Sequence, residues 1–130
     1  MPKLNLEHVA LNVREPAAVA AWYVEHLGMR IVRESNVAPF IHFIADAAGR
    51  TVLEMYCNAA DPIPDYASLH PLRLHVAFAT ADPDASCAAL VAAGAKLVDD
   101  QKREDGTRLI MLRDPWGLAL QLCKRAEPLL

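Results

Sequence analysis

The chain repeats itself, and this constrains its fold more than any other feature. "LEHVALNV" (Leu6 to Val13) and "RLHVAFAT" (Arg73 to Thr80) share a His-Val pair followed by alternating small and apolar residues, which sets His8 67 residues before His75. The same spacing carries Glu15 onto Asp82, Pro16 onto Pro83, and Glu54 in "TVLEMY" onto Gln121 in "LALQLC". A repeat of this length means two supersecondary units of one design, each burying the corresponding faces. Acid-Pro opens a helix, because proline fits the first turn and an acid suits its positive end. Ala20, Tyr23, Val24 and Leu27 follow at i, i+3, i+4, i+7, a helical stripe whose counterparts are Cys87, Leu90, Val91 and Gly94. Gly28 and Gly94 end the two helices, one position out of register with each other.

Each half therefore reads strand, helix, then three strands. The first half is expected as Leu4–Val13, Pro16–Leu27, Met29–Arg33, Phe40–Asp46 and Thr51–Cys57. The second is expected as Leu72–Thr80, Asp82–Ala93, Lys96–Asp100, Thr107–Arg113 and Leu118–Cys123. One domain spans residues 1–130, with module 1 over about 4–57, a proline-marked linker over about 58–71 and module 2 over about 72–123. "DPWG" (Asp114 to Gly117) is a turn, where proline presets one dihedral and glycine accepts the unusual one.

Side chains alternate across a strand. Val9, Leu11 and Val13 share one face of the first strand, while His8 lies opposite with Ala10 and Asn12; Glu7 breaks the pattern. Leu53 and Met55 oppose Glu54 and Tyr56. Leu74, Val76 and Phe78 oppose His75, Arg73 and Ala77. Leu120 and Leu122 oppose Gln121 and Cys123. Each strand thus has an apolar face suited to packing under a helix, and a second face with one strong polar group among smaller side chains. His8, Glu54, His75 and Gln121 are the candidate site. The bland alternative is an internal hydrogen-bond network with Glu54 paired to a histidine, since a histidine alone in a strand is more often a satisfied core residue. Glu54 weighs against it, because a mid-strand carboxylate without an adjacent base is costly to bury unless paired or bound to a metal. Two imidazoles, a carboxylate and an amide oxygen form an N2O2 set for a divalent ion such as Ni, Co, Zn, Mn or Fe. Tyr56 and Arg73 share the parity of these ligands and are the candidates for substrate binding.

Composition closes off other classes. The chain is 54% hydrophobic and 22% charged, a globular balance. Its net charge is -3, and acids interrupt the densest cationic stretch, "QKREDGTR" (Gln101 to Arg108), so no nucleic-acid footprint is expected. No apolar run reaches the length of a membrane span. Three cysteines without metal-finger spacing, and a start that enters a strand pattern directly, lead to the expectation of a reduced, cytoplasmic protein. His26, His42 and His70 read as surface or packing residues, Trp22 as core or interface, and Cys123 as a pocket-side thiol with no nucleophilic motif.

With these residues in place, the sequence resembles the vicinal oxygen chelate superfamily, which includes glyoxalases, bleomycin-resistance proteins and extradiol dioxygenases. The resemblance runs from "LEHVALNV" through "WYVEHLGMRIV" (Trp22 to Val32), Glu54 and His75 to "DPWGLALQL" (Asp114 to Leu122). It implies an α+β fold of two tandem βαβββ modules, whose curved mixed sheets surround a central cavity holding the metal. It also implies a homodimer. Active members mostly carry glutamate where this chain has Gln121, which can ligate through oxygen but cannot take a proton. The function expected is a metal-dependent lyase or isomerase of the glyoxalase type, acting on a small carbonyl substrate, with Glu54 or a metal-bound water moving the proton. The alternatives are a non-catalytic small-molecule or drug-binding protein, and an Fe-dependent dioxygenase at His8, His75 and Glu54.

Overall fold

The computed structural model describes residues 1–130, which divide into two compact units, Met1–Pro64 and Asp65–Leu130. Unit 1 contains β1 (Val9–Asn12), α1 (Pro16–Leu27), β2 (Arg30–Glu34), β3 (His42–Ala45) and β4 (Val52–Tyr56). Unit 2 begins with a 3-10 turn, Tyr66–Ser68. It continues with β5 (Val76–Ala79), α2 (Pro83–Ala92), β6 (Lys96–Lys102), β7 (Arg108–Arg113) and β8 (Ala119–Lys124). Each unit is a βαβββ module with one mixed four-stranded sheet, in the orders β1-β4-β3-β2 and β5-β8-β7-β6. The first strand runs parallel to the last, and the other pairs are antiparallel. This is the α+β architecture of tandem modules that the repeat implied. No helix is long and apolar enough to cross a membrane.

The helices start and stop where local chemistry dictates. Pro16 and Pro83 occupy the first turns, and the Asp82 side chain accepts a hydrogen bond from the Ala85 N–H at 3.0 Å. Gly28 ends α1 with φ +68°, a left-handed conformation that suits glycine. The face of α1 that is buried runs through Pro16, Val19, Ala20 and Tyr23, so Val24 and Leu27 lie at its half-buried margin. In α2 Leu90 is buried, Cys87 half-buried and Val91 exposed. The apolar strand faces complete the cores: Leu11, Ile44, Leu53 and Met55 in unit 1, and Ile110, Leu112, Leu120 and Leu122 in unit 2.

Two expectations need correction. The opening strand of each half is shorter than its sequence pattern. Leu4–Glu7 is irregular and exposed, and Pro71–Arg73 forms a turn, so His8 and His75 each stand one residue before their strand. Pairing sets the limit: Val9 faces Leu53 and Val76 faces Leu120, the second residues of β4 and β8, so each neighbouring strand extends only one residue further upstream. The constant spacing also fails between the ligand strands. The bulges at Ile31/Arg33 and Leu97/Asp99 stand 66 residues apart, whereas Phe43 and Met111, the cross-strand partners of Glu54 and Gln121, stand 68 apart. The helix-end and hairpin segments absorb single-residue changes, and the spacing returns to 67 at Gln121.

Unit 2 carries a staple around its entry. The Arg113 guanidinium donates to the carbonyls of Tyr66 (2.9 Å), Gly117 (3.0 Å) and Leu69 (2.7 Å). Buried Asp114 accepts from the N–H groups of Trp116 and Leu118, both at 2.9 Å, and so shapes the DPWG turn. Gly117 has φ +93°, and a Cβ there would stand 2.6 Å from that of Ala67, so close approach and backbone conformation both require glycine.

Candidate metal centre

In unit 1 the parallel ladder sets Ala10 beside Glu54, and the antiparallel ladder sets Phe43 on its other side. Ala10 is small, which leaves room for His8, two residues upstream on the same face, to reach across. His8 Nε2 lies 3.1 Å from Glu54 Oε2, and the Glu54 side chain is only 15% exposed. His8 Nδ1 donates to Glu7 Oε1 at 2.9 Å, and the imidazole meets the Phe43 ring edge-on, with centroids 5.5 Å apart at 77°. A carboxylate only accepts, so both ring nitrogens of His8 face acceptors, Nδ1 that of Glu7 and Nε2 that of Glu54.

Unit 2 repeats the geometry with different chemistry. Ala77 stands beside Gln121, as Ala10 does beside Glu54. Half-buried His75 donates from Nδ1 to the Pro71 carbonyl at 2.9 Å, and its Nε2 stands on the other side of the ring from that bond. Gln121 Oε1 accepts from the Cys123 thiol at 3.3 Å. Burial pushes the Cys123 thiol up, which keeps it protonated and able to donate.

The donors suit a divalent ion. His8 Nε2 and Glu54 Oε2, 3.1 Å apart, are the two donors that would hold an ion in unit 1. Both histidines are held at Nδ1 by an acceptor, the outer arrangement that metal-binding histidines use to fix tautomer and ring angle. Nowhere does the chain gather three of its His, Cys, Asp and Glu side chains into one ligand cluster; the contact within a unit is the His8–Glu54 pair.

Of the substrate-binding candidates, Tyr56 is half-buried on the Glu54 face, its backbone paired with Asn12. Arg73 is exposed in the turn before β5, where strand parity no longer fixes its direction. Buried His42 donates from Nδ1 to the Phe40 carbonyl at 2.8 Å, and Trp22 packs edge-on against Tyr23. Sequence reasoning passed over Glu7, Phe43 and the Pro71 carbonyl as partners of the site. Glu7 was visible as an acid beside a histidine; the other two depend on register and on a turn.

Two βαβββ modules with a polar group on the inner strands of each define a glyoxalase-like fold. The profile of the Glyoxalase/Bleomycin resistance protein/Dioxygenase superfamily matches residues 5–122, and the chain belongs to that superfamily. A glyoxalase family protein from Bacillus cereus has a similar structure, with a TM-score of 0.80, 19% identity and 95% coverage of both chains. A glyoxalase family protein from Enterococcus faecalis is 26% identical, with a TM-score of 0.70 over 92% of this chain and 97% of its own. TnmS3, an antibiotic binding protein from Streptomyces sp. CB03234, is 22% identical, with a TM-score of 0.68 over 92% and 97% of the two chains. No curated protein gives a match.

Proposed function

We propose that this protein is a divalent-metal-dependent lyase or isomerase of the glyoxalase type that moves a proton on a small carbonyl substrate. His8, Glu54, His75 and Gln121 are its ligands. The observation that carries this reading is the His8–Glu54 contact of 3.1 Å, with the far nitrogen of the imidazole already held by Glu7. When bound, the ion supplies positive charge against the negative charge that develops on the substrate oxygens as an α-proton leaves. The residues do the rest. The imidazoles present Nε2, with Nδ1 tied back to Glu7 and to the Pro71 carbonyl. Glu54 is the one carboxylate among the four, so it takes the α-proton and returns it to the neighbouring carbon. Tyr56, on the same face, holds a substrate carboxylate or carbonyl oxygen in this reading.

A homodimer is part of the proposal. β1 and β5 are edge strands of their sheets, with Val9, Ala10, Ala77 and Ala79 exposed, and an unpaired edge invites a second strand. Light scattering at micromolar concentration tests it, and a monomer there counts against it.

The second reading is a small-molecule binding protein, favoured by Gln121 in place of a proton-accepting residue and by the structural likeness to TnmS3. Elemental analysis of protein purified without a metal-affinity tag separates the two, together with calorimetric titration by Ni, Co, Zn and Mn. Stoichiometric binding that is lost in His75→Ala supports the metal enzyme. Absence of binding by the wild type favours the binding module.

A further inference from the structure

We propose that unit 2 carries a binding pocket for a small apolar carboxylate, opened by two small side chains where unit 1 has larger ones and faced by the cations Lys124 and Arg125. The two parallel ladders give the comparison. The final pair of β1 and β4 is Asn12 and Tyr56; the corresponding pair of β5 and β8, 67 residues on, is Ala79 and Cys123. Asn12 ties down the chain that leaves β4: its amide donates to the Asn58 carbonyl at 3.2 Å and accepts from the Asn58 N–H at 2.8 Å. Ala79 has no side chain that can do this. The chain leaving β8 is held elsewhere, by the Ala126 N–H donating to Thr107 Oγ1 at 3.1 Å. A cavity of about 540 Å³ lies between β5, the end of β8 and Pro128–Leu130. Sites that enclose small organic molecules are commonly about 300–1,000 Å³.

The walls select the ligand. Ala77, Ala79 and Pro128–Leu130 supply apolar surface. The charged residues that line the cavity are Lys124 and Arg125, and no acid stands with them, in a chain whose net charge is -3. Neither cation is spent on an ion pair or a side-chain hydrogen bond. Arg108 and Arg113 of the same unit are committed, the first to Asp84 and Asp100 and the second to three carbonyls. An apolar body with one anionic group matches both the walls and the uncommitted charge, whereas a cation meets repulsion. Every wall belongs to unit 2, so the inference holds with or without a metal. Cys123 donates to Gln121 at 3.3 Å, which sets a bound ligand beside the unit 2 half of the candidate centre.

The test adds naphthoate, or its neutral counterpart naphthamide, to the full chain in the presence of a chelator, followed by proton–nitrogen NMR. Naphthoate is expected to shift the amide signals of Ala77, Ala79, Thr80 and Leu129 saturably, and to bind more tightly than naphthamide. Lys124→Gln combined with Arg125→Gln is expected to weaken naphthoate about fivefold, the scale of exposed ion pairs, and to leave naphthamide unchanged. Ala79→Asn restores the unit 1 residue and is expected to weaken both probes, with the amide spectrum showing that each variant is folded. Absence of shifts at millimolar probe, shifts confined to other surfaces, or unchanged binding in Ala79→Asn overturns the pocket. Equal affinity for the two probes, or naphthoate binding that survives loss of both cations, overturns its assignment to a carboxylate. Naphthoate binding by a wild type that takes up no Ni leaves this site standing and removes the metal enzyme; Ni binding without naphthoate binding does the reverse.

Discussion

His8 reaches Glu54 across a parallel strand pair because the residue between them in the ladder is Ala10. The contact places an imidazole nitrogen 3.1 Å from a carboxylate that is largely shielded from water. In metal-free protein this pair should stabilise unit 1. His8→Ala leaves Glu54 without its partner and is expected to cost about 1–2 kcal/mol. Glu54→Gln should cost less, and the double variant should fall short of the sum by roughly 0.5 kcal/mol or more. Urea unfolding in the presence of a chelator measures all three. Strict additivity would show that the two side chains are neighbours without coupling.

Gly117 tests how tightly the DPWG turn is packed. An alanine there meets Ala67 at 2.6 Å and must also hold φ near +93°. Gly106 has a similar φ of +91°, but nothing lies within 4 Å of an added Cβ. Gly106→Ala therefore carries backbone strain alone, about 1 kcal/mol, whereas Gly117→Ala adds a collision with backbone and is expected to cost about 2–4 kcal/mol. Thermal melts of the two variants compare strain with collision directly; equal losses would mean that the Tyr66–Ser68 turn yields freely.

The difference between these two glycines was not legible in the chain, and the reason is general to this fold. The repeat identified both modules, because strand alternation and the acid-Pro helix starts are local signals. It also placed Glu54 and Gln121 at corresponding positions, since both lie inside strands. It misplaced His8 and His75, which it set within strands, because the end of a strand depends on where its neighbour ends. Arg73 followed the same error. Contacts such as Phe43 against His8, Arg113 on the Tyr66 and Leu69 carbonyls, and Ala67 against Gly117 join residues far apart in sequence, and no local pattern records them.

Arg108 should govern part of the acid limb of stability. It donates to Asp100 at 2.5 and 2.7 Å and to Asp84 at 3.0 Å. That hydrogen bond holds the Asp100 carboxyl below its usual value of 3.8, and the Thr107 backbone N–H does the same for Asp105. Carboxyls depressed in the folded state contribute fully above their ordinary value. The contribution is lost as pH falls through the folded one, because the unfolded chain takes up protons first. Arg108→Ala should lower the urea midpoint at neutral pH, and the gap from wild type should narrow between about pH 5 and about pH 3. A gap that stays constant over that range would assign the loss to packing and not to charge.

Gln121 distinguishes the metal centre from a plain polar network. It occupies in unit 2 the ladder position that Glu54 holds in unit 1, and its amide oxygen accepts from the Cys123 thiol at 3.3 Å. A neutral amide gives a cation less than a carboxylate does. Gln121→Ala should therefore weaken metal binding without abolishing it, with water taking the open position. Gln121→Glu adds a negative charge, and two opposite consequences follow. Without metal the extra carboxylate is half-buried, and the melting temperature should fall. With Ni, Co, Zn or Mn the same charge should tighten binding about tenfold, which at saturating metal adds about 1.4 kcal/mol of stabilisation relative to wild type. The metal-induced gain in melting temperature should then be larger for the variant than for the wild type. If Glu54 is the sole proton carrier of a slow isomerase, Gln121→Glu should also raise that activity by supplying a second. A variant that melts lower than wild type, with no gain on adding any of the four metals to either protein, would show that these residues form a hydrogen-bond network and leave small-molecule binding as the function.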